Sequence, residues 1–102
     1  MYSRAQSEAA GFVVMYYRKN SLGINRLGIT VTKKIGKAVV RNRIKRLIKE
    51  SYRLREESIK KGFDFIFVAR SRSVGCSFMQ INKDIGYLLK KCSLYTTNIN
   101  SD

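Results

Sequence analysis

The chain has 102 residues, which allows one compact domain with one hydrophobic core but not a second domain with its own core. Lysine and arginine number 21 against 7 aspartates and glutamates, and the formal charge of +14 favours a polyanionic partner, either nucleic acid or an anionic membrane. The longest apolar run, residues 9–17, is far shorter than the roughly 20 residues of a membrane-spanning helix, and the N-terminus has no secretory signal pattern. We therefore expect a cytoplasmic protein with no membrane partner.

Composition also argues against a catalytic or metal site on the protein. The chain has no histidine, and Cys76 and Cys92 lack CxxC spacing, so a zinc site with the usual number of ligands cannot be assembled. We expect both cysteines to be reduced thiols. The seven acidic residues form no pair suited to general acid and base catalysis.

Three segments are typical of β-strands. Residues 12–18 are rich in β-branched and aromatic types and are followed by a polar turn that contains Gly23. Residues 26–32 alternate apolar with small or polar side chains, as in a half-buried strand. Residues 63–68 are apolar on both faces apart from Asp64, which predicts a central strand that is covered on both sides.

Two amphipathic helices complete the pattern. The first is predicted over residues 39–59, with a buried stripe of Val40, Ile44, Leu47, Ile48 and Ser51. The second begins near Ser77, where S-F-M-Q fits a capping box. From Ser93 onward the chain is polar, and we expect residues 93–102 to be frayed.

The first helix and the turn before it carry an unusual density of positive charge. Residues 33–55 hold ten bases and the single acid Glu50. Like charges at i and i+4 destabilise a helix, so a face that served only solubility would normally include acids. The guanidinium groups of arginine can donate paired hydrogen bonds to phosphate oxygens. Because an A-form duplex hides its base edges in a deep groove, we expect this face to recognise the shape of the RNA and the positions of its phosphates. A solvated basic face without specific function is the alternative.

The basic segment, K-K-I-G-K-A-V-V-R-N-R-I-K-R-L-I-K-E, resembles the signature of the bacterial ribonuclease P protein family, whose hallmark is Arg41-Asn42-Arg43 followed by Lys45-Arg46. The similarity extends to R-L-G-I-T-V-T-K-K before this segment and to K-G-F-D-F-I-F-V-A-R after it. The resemblance implies an α/β (α+β) two-layer sandwich, with a small mixed sheet packed against helices in one domain over residues 1–102. It further implies that a left-handed βαβ crossover joins two parallel strands, against the usual right-handed rule.

The resemblance also implies a function. Such proteins bind the catalytic RNA of ribonuclease P and the single-stranded 5′ leader of precursor tRNA, while the RNA subunit cuts the phosphodiester with Mg²⁺. The residues that this assigns to the RNA are Lys33, Lys34, Lys37, Arg41, Asn42, Arg43, Lys45, Arg46 and Lys49. Tyr2, Val13 and Met15 are assigned to the leader cleft, although Val13 and Met15 could equally be core residues. We expect a monomer in the holoenzyme and leave open a dimer or domain swap of the isolated chain.

Two departures from the family pattern stand out. Residues 1–7 resemble only the end of the family's first helix, so we expect an N-terminal truncation. Lys49 stands where the family usually carries arginine. The lysine keeps the positive charge but lacks the planar guanidinium, which can donate two parallel hydrogen bonds to one phosphate. The alternatives are a structural ribosomal or other RNA-binding protein without a role in cleavage, and a DNA-binding protein that uses residues 39–55 as a recognition helix.

Overall fold

The structure is a computed structural model and describes residues 5–96 of the chain. This part contains four strands and two longer helices. In chain order the elements are β1 (Gln6–Ala9), β2 (Val13–Lys19), β3 (Arg26–Thr30), α1 (Ala38–Leu54), β4 (Phe63–Ala69) and α2 (Phe78–Lys91). Short 3-10 helices lie at Lys33–Ile35, Glu56–Ser58 and Ser71–Ser73. The three predicted strands and both predicted helices are present, but α1 ends five residues earlier than the expected residue 59.

The strands form one mixed sheet in the order β1-β2-β4-β3. β2 pairs antiparallel with both β1 and β4, whereas β3 pairs parallel with β4. The helix α1 connects the two parallel strands. The predicted small mixed sheet packed against helices is therefore confirmed, while the handedness of the crossover stays a prediction.

The hydrophobic core lies between one face of this sheet and the two helices. Phe65 and Phe67 of β4 are buried there, and the ring of Tyr52 from α1 lies 5.9 and 6.1 Å from theirs. Ile66 and Val68 point to the opposite face and remain partly exposed. β4 is central as predicted, but the prediction that both of its faces are covered is wrong, because α1 and α2 pack on the Phe65 face.

The strand β1 was not predicted. Its sequence, Gln6-Ser7-Glu8-Ala9, has no alternating apolar pattern, and residues 1–7 were expected to resemble the end of a helix. Residues 6–9 instead pair with β2, with Glu8 opposite Met15, so the helical expectation is wrong for residues 6 and 7. An edge strand can be held by backbone hydrogen bonds without burying its own side chains.

The expectation of a frayed end is wrong for residues 93–96. Leu94 is 2% exposed, and its backbone N–H donates to the carbonyl of Leu89 at 2.9 Å. Tyr95 forms an isolated bridge with Ile59, and the N–H of Thr96 donates to the carbonyl of Ser58 at 2.8 Å. Because Leu94 packs into the core, residues 93–96 have a defined position although their neighbours are polar.

The start of α2 follows the predicted capping box. The N–H of Gln80 donates to Ser77 Oγ at 3.3 Å, and the N–H of Ser77 donates to Gln80 Oε1 at 2.9 Å. Both cysteines are free, as expected, with Cys76 buried just before this cap. Across residues 5–96, no helix is long and apolar enough to cross a membrane.

Candidate nucleic-acid interface

The helix α1 presents opposite surfaces to the core and to solvent. Ile44, Ile48, Ser51 and Tyr52 are buried against the sheet and α2. Six of the nine predicted RNA-binding residues lie on the other side of α1, and three lie just before it. Eight of the nine are exposed, and Arg41 is half-buried. The helical period thus keeps the basic residues accessible while the apolar stripe holds the helix in place.

Lys33, Lys34 and Lys37 lie where the chain enters α1. Lys33 and Lys34 belong to the 3-10 turn, and Lys37 is the N-cap residue of α1, with an extended backbone and no side-chain cap hydrogen bond. The N-terminal end of a helix carries partial positive charge from its free backbone N–H groups, which adds to these lysines. From Lys37 to Lys49 the basic surface runs roughly 18 Å along the helix axis.

Arg41 and Arg43 are both anchored by backbone carbonyl groups. Arg41 Nε donates to the carbonyl of Gly36 at 3.1 Å, and Arg43 Nη2 donates to the carbonyl of Cys76 at 2.9 Å. A guanidinium has five N–H donors, so each side chain keeps donors for a phosphate after making its anchor. These hydrogen bonds fix both guanidinium groups before a ligand binds, which lowers the side-chain conformational entropy that binding would cost.

The tether from Arg43 to Cys76 was not foreseen. It joins the first turns of α1 to the loop that precedes α2, 33 residues further along the chain. Nothing in the local sequence around Arg43 distinguishes an arginine that bonds a distant carbonyl from one that faces solvent.

Lys45, Arg46 and Lys49 also face the sheet edge. Together with Leu27 and Ile29 of β3 they line an open groove. An adjoining hollow shares Leu27 and Lys49 and is otherwise lined by Asn25, Tyr52, Arg53 and Glu56. Sequence reasoning missed this groove, although the alternation of Leu27 and Ile29 on one strand face was the available signal.

Comparison with known proteins decides the family. A sequence model of the family described as Ribonuclease P matches residues 1–93. The chain belongs to the ribonuclease P protein family. The ribonuclease P protein component of Thermoanaerobacter pseudethanolicus is 51% identical over 98 residues, which cover 96% of this chain and 84% of that protein. That of Clostridium kluyveri is 47% identical over 97 residues, which cover 93% of this chain and 87% of that protein.

Solved structures of ribonuclease P proteins share the fold. The protein from Staphylococcus aureus, solved at 2.0 Å, superposes with a TM-score of 0.82 at 33% identity, covering 90% of this chain and 84% of that one. The protein from Thermotoga maritima gives a TM-score of 0.78 at 34% identity, covering 85% and 83%. At these identities the likeness supports shared ancestry as well as shared architecture.

The leader-cleft assignment of Val13 and Met15 is wrong for this structure. Both side chains are 0% exposed and belong to the core cluster beneath the helices. The alternation along β2 separates Val13 and Met15 from Val14 and Tyr16, but it does not say which set the helices cover. Tyr2, the third residue assigned to the ribonuclease P leader cleft, lies outside the described residues.

The acidic residues of this ribonuclease P protein do not form a metal site in the described region. Residues 5–96 bring no three histidine, cysteine, aspartate or glutamate side chains together. The buried Asp64 is held by hydrogen bonds from Arg26 and Asn20, which keep the pKa of its carboxyl well below the usual range. A carboxylate engaged in this way is held by the fold and is not available to a metal ion.

Proposed function

We propose that this chain binds ribonuclease P RNA through the exposed side of α1 and the turn before it, and so helps the RNA subunit to remove the 5′ leader of precursor tRNA. The observation that carries the proposal is the separation of charge on α1. Six of the predicted RNA-binding residues line its solvent side, and its apolar stripe is fixed in the core.

The chemistry of this surface suits a folded RNA. Anchored guanidinium forks at Arg41 and Arg43 favour phosphates at defined positions, while Lys45 and Lys49 add charge with less geometric demand. The net charge of +14 would attract the RNA over long distances. Affinity should therefore depend strongly on salt and weakly on base sequence.

We place the cleavage chemistry on the RNA subunit, with Mg²⁺ bound there, as the resemblance to the ribonuclease P protein family implies. The contribution of the protein is then affinity for precursor tRNA and assembly of the holoenzyme. With Val13 and Met15 buried, we assign no residue to the leader. We further propose that the protein acts as a monomer in the holoenzyme, in the cytoplasm.

Salt-dependent binding to ribonuclease P RNA tests this proposal. For each lysine that contacts a phosphate, replacement by glutamine should lower the slope of log affinity against log salt by about 1. We expect this for Lys45→Gln and Lys49→Gln but not for Lys83→Gln, whose side chain is exposed on α2. Equal affinity for a ribosomal RNA fragment or for duplex DNA, with unchanged slopes in both α1 variants, would contradict the proposal.

A further inference from the structure

The groove between β3 and α1 combines an apolar floor with a basic rim. Leu27 and Ile29 pair with Phe65 and Phe67, so they point to the sheet face on which the helices pack. Both remain only partly buried although they adjoin the core. Since β3 is an edge strand of the sheet, α1 meets them from one side only.

The residues that cover this floor are long cations, not apolar side chains. Lys45, Arg46 and Lys49 line the groove with Leu27 and Ile29, and all three are exposed. Such side chains lay their methylene stems along apolar surface and keep their charged heads in solvent. The groove therefore offers an apolar surface next to three positive charges, and none of the residues 5–96 that line it is acidic.

That combination fits an unpaired nucleotide better than a duplex. A base has an apolar face that can lie on aliphatic or aromatic side chains whatever its identity, and its flanking phosphates seek cations. In an A-form duplex the base faces are stacked out of reach. The outward N–H and C=O groups of an edge strand lie beside the floor and could meet the edge of a base.

We infer that this groove holds one unpaired nucleotide of the ribonuclease P RNA, with its base on Leu27 and Ile29 and its adjacent phosphates on Lys45, Arg46 and Lys49. The inference rests on the proposed function, because it takes the RNA subunit as the ligand of α1. The RNA subunit is favoured over the precursor leader because the rim consists of α1 residues that belong to the surface proposed for that subunit.

Truncation of the floor tests the inference. Leu27→Ala and Ile29→Ala should each weaken binding of the protein to ribonuclease P RNA by about tenfold, because each removes part of the apolar surface that the base would cover. The salt dependence should stay unchanged, because no charge is removed. The matched control is Ile66→Ala, which removes the same number of carbons from a half-buried residue on the opposite sheet face and should bind as the wild type does.

Base-specific chemical probing of the RNA gives a second measurement that uses the wild-type protein. Binding should protect the base of at least one unpaired nucleotide, and Leu27→Ala should expose that base while backbone protection elsewhere persists. No protected unpaired base in the wild-type complex would overturn the inference even if the variants failed to fold.

The outcomes separate the inference from the proposed function. If Leu27→Ala and Ile29→Ala bind as Ile66→Ala does while Lys49→Gln lowers the salt slope, the groove is empty and the proposed function stands. If the floor variants weaken only the affinity of the holoenzyme for precursor tRNA, the occupant is the leader and the inference is overturned. If the wild-type protein does not bind ribonuclease P RNA, both fall together.

Discussion

Arg26 and Asp64 form a bidentate salt bridge between the parallel strands β3 and β4. Arg26 Nε donates to Asp64 Oδ1 and Arg26 Nη2 donates to Asp64 Oδ2, each at 2.8 Å. Asn20, at the end of β2, donates to the same carboxylate at 2.9 Å. One buried acid thus ties the strand that leads into the basic turn to the centre of the sheet.

This arrangement predicts a specific acid sensitivity. Hydrogen bonds from Arg26, and then from Asn20, lower the pKa of Asp64 in the folded protein. A lowered folded pKa means that the stabilisation is complete above the unfolded pKa of about 3.9 and is lost as pH falls below it. Thermal unfolding followed from about pH 6 to about pH 2.5 should show a steeper loss of Tm for the wild type than for Asp64→Asn.

The control for that experiment is the exposed acid Glu57. Glu57→Gln should keep the steep acid loss of the wild type, whereas Asp64→Asn should already have a lower Tm at neutral pH. Parallel curves for the wild type and Asp64→Asn would show that the ion pair contributes nothing to stability.

Arg43 should affect both stability and RNA binding, and Arg46 only binding. Arg43→Ala removes the hydrogen bond to the carbonyl of Cys76 and should lower the free energy of unfolding by about 1 kcal/mol. Arg46 is exposed on the same helix and should be replaceable by alanine with little change in stability. Urea unfolding and titration with ribonuclease P RNA distinguish the two roles. Identical unfolding curves for the two variants would contradict the tether.

The helices α1 and α2 are joined by a polar network that should be costly to break. Ser51 Oγ and Arg55 Nη1 both donate to Asn82 Oδ1 at 2.7 Å, and Ser51 is fully buried. Asn82→Ala removes the shared acceptor and should destabilise the protein by about 1–3 kcal/mol in urea unfolding. Asn82→Asp keeps an acceptor oxygen and should lose less. Equal losses in the two variants would contradict this account, because aspartate preserves both the shape of asparagine and an acceptor oxygen.

The segment after α2 should behave as part of the core. Leu94→Ala removes a side chain that is 2% exposed and should cost about 2–5 kcal/mol of unfolding free energy. Thr96→Ala, at an exposed position two residues on, should cost little. A negligible effect of Leu94→Ala on the unfolding midpoint would contradict the docking of this segment.

Much of the fold could be read from local patterns, and the misses share a physical cause. The alternation of β3, the apolar run of β4, the stripe of α1 and the capping box at Ser77 are local signals, and the elements that they predict are present. β1 is held by backbone pairing with the neighbouring strand β2, and Leu94 is held by its burial and by backbone hydrogen bonds with Leu89 and Lys60. Neither backbone pairing nor the burial of one apolar residue leaves a periodic side-chain pattern in the sequence.

The proposed RNA-binding site also contains features that local sequence predicts and features that it does not. The basic residues of α1 could be predicted because charge and helical period are both visible in the sequence. The burial of Val13 and Met15 depends on which sheet face the helices cover, and the groove at Leu27 and Ile29 depends on where the sheet ends. Both depend on how the elements assemble, which the pattern of a single strand does not contain.

The most direct test of the account is cleavage of precursor tRNA by ribonuclease P RNA, with and without this chain, at near-physiological magnesium. We expect the chain to stimulate cleavage, chiefly by raising affinity for the precursor, and we expect Arg41→Ala/Arg43→Ala to lose most of that stimulation. If the wild-type chain binds the RNA and changes neither precursor affinity nor cleavage, the proposed role in leader removal is wrong.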